Sequence, residues 1–246
     1  MLDRNNSKPL WEQLELILRE KIDSGVWNPG DVIGSENELS KEYKISRMTV
    51  RSVLTRLVQE GLLYRVPGKG TYVSEPKIPT RPLANMGIRE QLEEEGLEIR
   101  TEVLENKVIM PDDRVARKLM MDPNSAVYFI ERVRYLKGKP LSIHRTYLKR
   151  LVNPLISDSR LSEEQLCNIL RDDYALKPTN TKETLELVFA NEDQAHKLNM
   201  KVSQPLLYLK ERRYVNDVIF EYSEVFFRGD QIVITLEYNG EQTGDH

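Results

Sequence analysis

The stretch SRMTVRSVLTRLVQEG, residues 46–61, decides the reading of the N-terminal region. Val50, Val53, Leu54, Leu57 and Val58 recur at i, i+3, i+4, i+7 and i+8, the spacing of one apolar stripe on an α-helix. At about 100° per residue, Met48, Arg51, Ser52 and Thr55 fall on the opposite face, with Arg47 at its edge. Ser46 is placed to cap this helix and Gly61 to end it. Exposed Arg, Ser and Thr near a helix N-terminus suit a major groove, because such side chains reach base edges and the unpaired N–H groups suit phosphate. The same stretch also fits the charged surface of a small helical bundle, and the flanking sequence separates the two readings.

Upstream, Leu10, Leu14, Ile17, Leu18 and Ile22 predict an amphipathic helix over residues 9–23, with Pro9 in its first turn. Ser35-Glu36-Asn37-Glu38 has the spacing of a capping box and opens a short helix that runs through Tyr43. Downstream, residues 62–66 and 71–73 read as strands around Pro67-Gly68-Lys69-Gly70. Glycine lets a backbone turn tightly and approach another surface. Lys69 puts a positive charge at the tip, suited to a phosphate or a minor groove. A hairpin directly after a recognition-type helix makes a winged helix-turn-helix and argues against the bundle.

The formal net charge of −3 at first opposes a nucleic-acid partner. The charges are segregated, however. Residues 12–38 hold seven acids against two bases, and residues 41–69 hold seven bases against two acids. Screening confines the reach of a charge to roughly 8 Å at physiological salt, so local charge decides where a polyanion docks. A hydrophobic fraction of 39% over 246 residues supports two packed domains. No run approaches the ~20 apolar residues of a membrane span. The start, MLDRNNSKPL, has no apolar leader, and the one cysteine, Cys167, cannot form an intrachain disulfide. These features predict a cytoplasmic protein.

Residues 9–73 closely resemble the DNA-binding domain of the GntR family of transcription regulators. The resemblance is carried by Pro9-Leu10-Trp11-Glu12-Gln13-Leu14, Pro29-Gly30-Asp31, Ser35-Glu36, Ser46-Arg47-Met48-Thr49-Val50-Arg51, Glu60-Gly61-Leu62-Leu63 and Gly68-Lys69-Gly70-Thr71-Tyr72-Val73. It implies that Ser35, Arg47, Thr49, Arg51, Gly68 and Lys69 face DNA. The chain departs from the family at Gly34, where proline is usual, and at Asn37, where an arginine is common. Residues 1–75 are thus read as the DNA-binding domain.

Residues 76–82, with Pro76, Pro79 and Pro82, read as a semi-extended linker, and 83–246 as a second, α+β domain. Helices are predicted near 87–95, 112–121, 162–173 and 191–200. Strands are predicted at 100–109, 126–136, 141–148, 183–190, 206–215, 218–227 and 231–238. Tight turns at Lys137-Gly138-Lys139 and Asn216-Asp217 predict antiparallel hairpins. Residues 109–148 align without gaps on 188–227, pairing Ala116 with Ala195, Lys118 with Lys197, Leu119 with Leu198, Met121 with Met200, Arg134 with Arg213 and Tyr135 with Tyr214. The alignment predicts two helix–hairpin units related by a pseudo-twofold axis.

Alternation over 127–136 places Ile130, Arg132, Arg134 and Leu136 on one strand face. Two guanidinium groups among apolar neighbours need negative charge. An anionic ligand or internal acids such as Glu221 or Glu224 would each supply it. Residues 83–240 resemble the UTRA ligand-sensing domain of the HutC subfamily, through Glu131-Arg132-Val133-Arg134, Pro140-Leu141-Ser142-Ile143, Phe220-Glu221-Tyr222-Ser223 and Phe227-Arg228-Gly229-Asp230. The resemblance implies a chorismate-lyase-like fold with a mainly antiparallel sheet. In sugar-phosphate-sensing relatives, the two arginines bind phosphate together with a helix start that corresponds to Gly87 and Ile88. His144 and Gln165 stand where those relatives have glutamate and serine, so an anion is retained while the rest of the ligand differs. Glu221 joins these as a reader of the ligand's polar part. The alternative is a lyase-type enzyme with an appended DNA-binding domain. Against it, the sequence has three histidines, no Cys/His cluster of metal-ligand spacing and no nucleophile or phosphate-loop motif. The sequence therefore reads as a transcription regulator without catalytic residues, cofactor or metal. Its partners are operator DNA, a small anionic effector and a second copy of the chain. Repression is implied by the family alone.

Overall fold

The computed structural model describes residues 2–4, 6–80, 88–94, 96–149 and 155–235. These form two units, Met1–Lys77 and Ile78–His246. In the first, α1 (Leu10–Asp23), α2 (Glu36–Tyr43) and α3 (Arg47–Gln59) precede a hairpin of β1 (Leu63–Val66) and β2 (Gly70–Val73). Leu14, Leu18, Leu39, Val50, Val53, Leu54 and Leu57 are buried together with Leu63 and Val73 of the hairpin. The apolar stripe read from residues 50–58 is therefore the face that holds the three helices and the wing as one body. The starts of α2 and α3 are fixed locally. Ser35 and Glu38 form both halves of a capping box, and the Ser46 hydroxyl accepts from the Thr49 N–H at 3.1 Å. Between α2 and α3, Lys44 adopts φ 54°, the left-handed conformation that stops a helix and reverses the chain.

The second unit contains, in order, β3 (Ile78–Thr80), α4 (Ile88–Glu94), β4 (Ile99–Ile109), α5 (Asp113–Leu119), β5 (Val127–Leu136) and β6 (Lys139–Lys149). There follow α6 (Asp158–Glu163), α7 (Leu166–Tyr174), β7 (Asn180–Phe189), α8 (Glu192–Lys197), β8 (Pro205–Val215), β9 (Val218–Arg228) and β10 (Ile232–Ile234). Six strands form an antiparallel sheet in the order β4-β5-β6-β9-β8-β7. Leu92 of α4, Leu161 of α6 and Leu166, Ile169 and Leu170 of α7 pack on one face. Val115 and Leu119 of α5, with Ala195 and Leu198 of α8, cover the other.

The repeat is present in three dimensions and extends further than the sequence alignment. Strands β6 and β9 match residue for residue at the 79-residue offset. Both hairpins turn through two residues of positive φ, Lys137-Gly138 (48° and 77°) and Asn216-Asp217 (48° and 63°). Such paired left-handed residues match the twist of the strands they join. The sheet register shifts between Arg134 and Tyr135 in β5, and between Arg213 and Tyr214 in β8, at equivalent positions. Left-handed residues recur at Gly96 and Ala175, which places α4 and α7 in the same scheme.

The structure differs from the sequence reading in three places. Residues 78–80, within the stretch read as linker, form β3 and pair in parallel with β10. The helix expected over 162–173 is two helices, because Glu164 (ψ 158°) and Gln165 (ψ 129°) are extended. The strand expected over 231–238 spans Ile232–Ile234, and residues beyond 235 lie outside the described ones.

Candidate nucleic-acid interface and ligand pocket

In the first unit, burial of one stripe of α3 leaves Arg47, Met48, Arg51 and Ser52 exposed. The Thr49 hydroxyl lies 2.8 Å from that of Ser46, so the cap holds Thr49 at the helix start. The Arg51 side chain is 60% exposed, and its Nε stands 3.5 Å from Glu36 of α2. Glu36 is also 3.8 Å from Arg65 of β1 and so links α2, α3 and the wing. An exposed pair of this kind is worth about 0–1 kcal/mol, so a phosphate can displace it. Ser35 is exposed, and its hydroxyl serves as the cap of α2. Gly68 (φ 73°) and Lys69 lie exposed in the turn between β1 and β2. Gly70 is required by its surroundings as well as by its φ of 132°, since a Cβ there would stand 3.2 Å from Val32.

In the second unit, register brings the predicted ligand residues to one sheet face. Arg132 pairs with His144 and Arg134 with Ser142 across β5 and β6. Gln165 joins them at the start of α7, where its Oε1 accepts from Arg134 Nη2 at 3.1 Å. Glu221 reaches the same cavity from β9. The cavity holds about 50 Å³ and is also lined by Thr146, Cys167, Glu211, Arg213 and Ser223. That is room for several waters, at roughly 10–15 Å³ per water position. Glu224, the other acid considered as a partner for the arginines, lies on the opposite face and binds Arg114 and the hydroxyls of Tyr208 and Tyr222.

Arg132 is 4% exposed, and its Nε and Nη1 have no hydrogen-bond partner among the described residues. Burial lowers its guanidinium pKa to about 10, with Glu221 opposing the shift. A buried cation with unpaired N–H groups is costly, and an oxyanion relieves that cost. His144 is held well below its ordinary value, first by burial and then by the charges of Arg134 and Arg132. Its ring is therefore neutral, with Nε2 2.9 Å from the Ser142 hydroxyl. The Gln165 amide donor, Nε2, and the Glu221 Oε2 are also buried without partners. The pocket thus offers unpaired donors from Arg132 and Gln165 and an unpaired acceptor from Glu221.

Of the other expected residues, Ile88 is the first residue of α4, and Gly87 lies outside the described residues. Sequence reading missed Glu211, Arg213 and Cys167. The repeat carried a signal for the first two, since Arg213 is the counterpart of Arg134 and Glu211 that of Arg132. Cys167 is the counterpart of Ile88, the position singled out on the first sensor helix.

The described residues contain no helix long and apolar enough to cross a membrane and no His/Cys/Asp/Glu group that could hold a metal ion. Residues 10–73 match the family described as bacterial regulatory proteins, gntR family, and residues 94–232 match the UTRA domain. The chain is 30% identical to the HTH-type transcriptional regulator YurK of Bacillus subtilis, over 88% of this chain and 90% of that protein. It is 29% identical to the mannosyl-D-glycerate transport/metabolism system repressor MngR of Escherichia coli, over 93% and 95%. The crystal structure of PhnF from Mycobacterium smegmatis shares the fold, with a TM-score of 0.62 and 23% identity, over 94% of this chain and 99% of that one.

Proposed function

The chain belongs to the gntR family of bacterial regulatory proteins and carries a UTRA domain, and from that premise we propose that it is a cytoplasmic, effector-responsive repressor that binds its operator as a homodimer. It is a transcription regulator rather than an enzyme. Residues 1–75 contact DNA through Ser35, Arg47, Thr49 and Arg51 in a major groove and through Gly68 and Lys69 at the wing, joined by residues 76–82 to the sensor, 83–246. One winged helix covers a small footprint, and two of them on a palindromic site give the specificity that gene control needs. Repression accords with the names of related proteins, MngR among them.

The effector is anionic. The observation that carries this reading is the pair of unpartnered nitrogens on buried Arg132, beside Arg134 and Gln165. A phosphate or carboxylate accepts from a guanidinium along two parallel N–H bonds. The helix start at Gly87 and Ile88 belongs to the same proposal, with His144 and Glu221 reading the polar remainder. To switch the protein, the effector must bind one arrangement of the DNA-binding halves better than the other. The test is a screen of phosphosugars and organic acids for a rise in thermal midpoint, followed by operator binding with each hit. Light scattering of the full chain at micromolar concentration tests the dimer.

A further inference from the structure

The far wall of the cavity is acidic. Glu211 and Glu221 flank Arg213, and Glu183 of β7 lies directly across from Glu211 in the sheet register. Arg213 Nε binds Glu211 at 2.5 Å, but its Nη1 stands 3.7 Å from Glu221 Oε2, beyond hydrogen-bond reach. Glu221 is 3% exposed; its Oε1 accepts from the Ser223 hydroxyl at 2.7 Å, while its Oε2 has no donor. Glu183 Oε1 is likewise buried without a donor. Arg213 thus faces three carboxylates and hydrogen-bonds to one of them, Glu211. The surplus has a visible consequence at Glu211, whose carboxyl is pushed up to about 7 by burial, with Glu221 and Glu183 adding to the rise and Arg213 opposing it.

Across the cavity the imbalance is reversed at Arg132, which stands beside neutral Gln165 and His144 with its Nε and Nη1 unpaired. Arg132 and Glu221 attract each other without meeting in an ion pair, so the Arg132 Nε and Nη1 and the Glu221 Oε2 keep unused hydrogen-bonding capacity. A ligand hydroxyl at Glu221 would supply one hydrogen bond and no charge. An ammonium supplies three donors and a positive charge to the acidic end. We infer that the effector is bipolar, with its anionic group at Arg132 and Arg134 and a protonated amine at Glu221 and Glu211. The inference rests on the anion-pocket reading above and adds to it the second recognition element.

The experiment compares n-alkyl, hydroxyalkyl and aminoalkyl phosphates of two to six carbons by calorimetry with the full chain. At the chain length that spans the cavity, the aminoalkyl phosphate is expected to bind at least about tenfold tighter than both counterparts, a difference of about 1.4 kcal/mol. Glu221→Gln should collapse that ratio toward one, whatever it does to either affinity alone, and Glu211→Gln provides the same readout should Glu221→Gln fail to fold. Alkyl phosphates that bind as tightly as aminoalkyl phosphates at every length would overturn the bipolar effector and leave the anion pocket standing. If none of the three series binds, the anion pocket itself is wrong and the inference falls with it.

Discussion

Arg145 of β6 and Glu224 of β9 face each other across the centre of the sheet, and they are also counterparts in the two repeats, so the pseudo-twofold axis passes between them. They are not each other's partners. Arg145 binds Glu131 at 2.6 Å and Asp193 at 2.8 Å, while Glu224 binds Arg114. Arg114 and Asp193 are themselves counterparts. The two halves thus keep one ion-pair geometry with the signs exchanged, and the central strand of each half anchors the other half's helix, β6 holding α8 and β9 holding α5.

The exchange predicts unequal sensitivity. Glu224 is 2% exposed, and loss of Arg114 would leave its carboxylate with the hydroxyls of Tyr208 and Tyr222 alone. Arg114→Ala is expected to cost about 1–3 kcal/mol, toward the lower end because Arg114 is half-exposed and water replaces part of the interaction. Asp193→Ala should cost less, since Arg145 retains Glu131. Urea unfolding of both variants checks this order, and a reversed order would contradict the account.

What was legible in the sequence followed from local physics. The stripe Val50 to Val58, the cap at Ser46 and the turns at Lys137-Gly138 and Asn216-Asp217 each depend on residues a few positions apart, and each is where it was read. The strand Ile78–Thr80 was not legible, because it is three residues long, contains Pro79 and owes its existence to pairing with Ile232–Ile234 far along the chain. The break between α6 and α7 was hidden because Glu164 and Gln165 are ordinary helix formers. Gln165 instead spends its side chain on Arg134. Alternation put Arg132 and Arg134 on one strand face but left open whether a ligand or internal acids answer them, whereas the opposing acids Glu211 and Glu221 come from other strands and meet them only through the register of the sheet.

On the DNA face, Arg51→Ala should cost about 1–3 kcal/mol of operator affinity if its guanidinium reads a base, and should relax specificity at that position. Lys69→Ala should instead weaken binding to all sequences alike and reduce the salt slope by about one unit. Fluorescence anisotropy on operator and scrambled duplexes over a salt series separates the two effects. Unchanged affinity in both variants would rule out the surface formed by α3 and the wing.

In the pocket, Arg132→Ala and Arg134→Ala should each abolish the effector response and leave effector-free operator binding unaltered. Arg134→Ala carries an added effect, because it frees Gln165 at the start of α7. Operator release measured against effector concentration is the readout. A normal response in both variants would place the effector elsewhere.

The last prediction concerns pH. Burial, then Arg134 and Arg132, hold the His144 pKa well below its ordinary 6.5. Below about pH 6.5 the unfolded chain therefore takes up a proton that the folded chain refuses, so the contribution of His144 to stability is present above that pH and declines as the pH falls. Glu211 acts in the opposite sense. Its carboxyl is raised from 4.5 to about 7, so its contribution is complete below pH 4.5 and is lost as the pH rises toward 7. The two slopes oppose each other in the native protein, and His144→Gln removes only the first. The stability of that variant relative to the native chain should rise as the pH is lowered from about 7 to about 5. An anion at Arg132 and Arg134 cancels the charges that repel a proton from His144, so its binding should raise the imidazole pKa and be favoured at lower pH. In NMR spectra the His144 ring signals should stay constant between about pH 5 and 8 in the free protein and begin to titrate when phosphate is bound. A His144 that titrates near 6.5 without any anion would show that the ring is neither buried against the arginines nor coupled to what they bind.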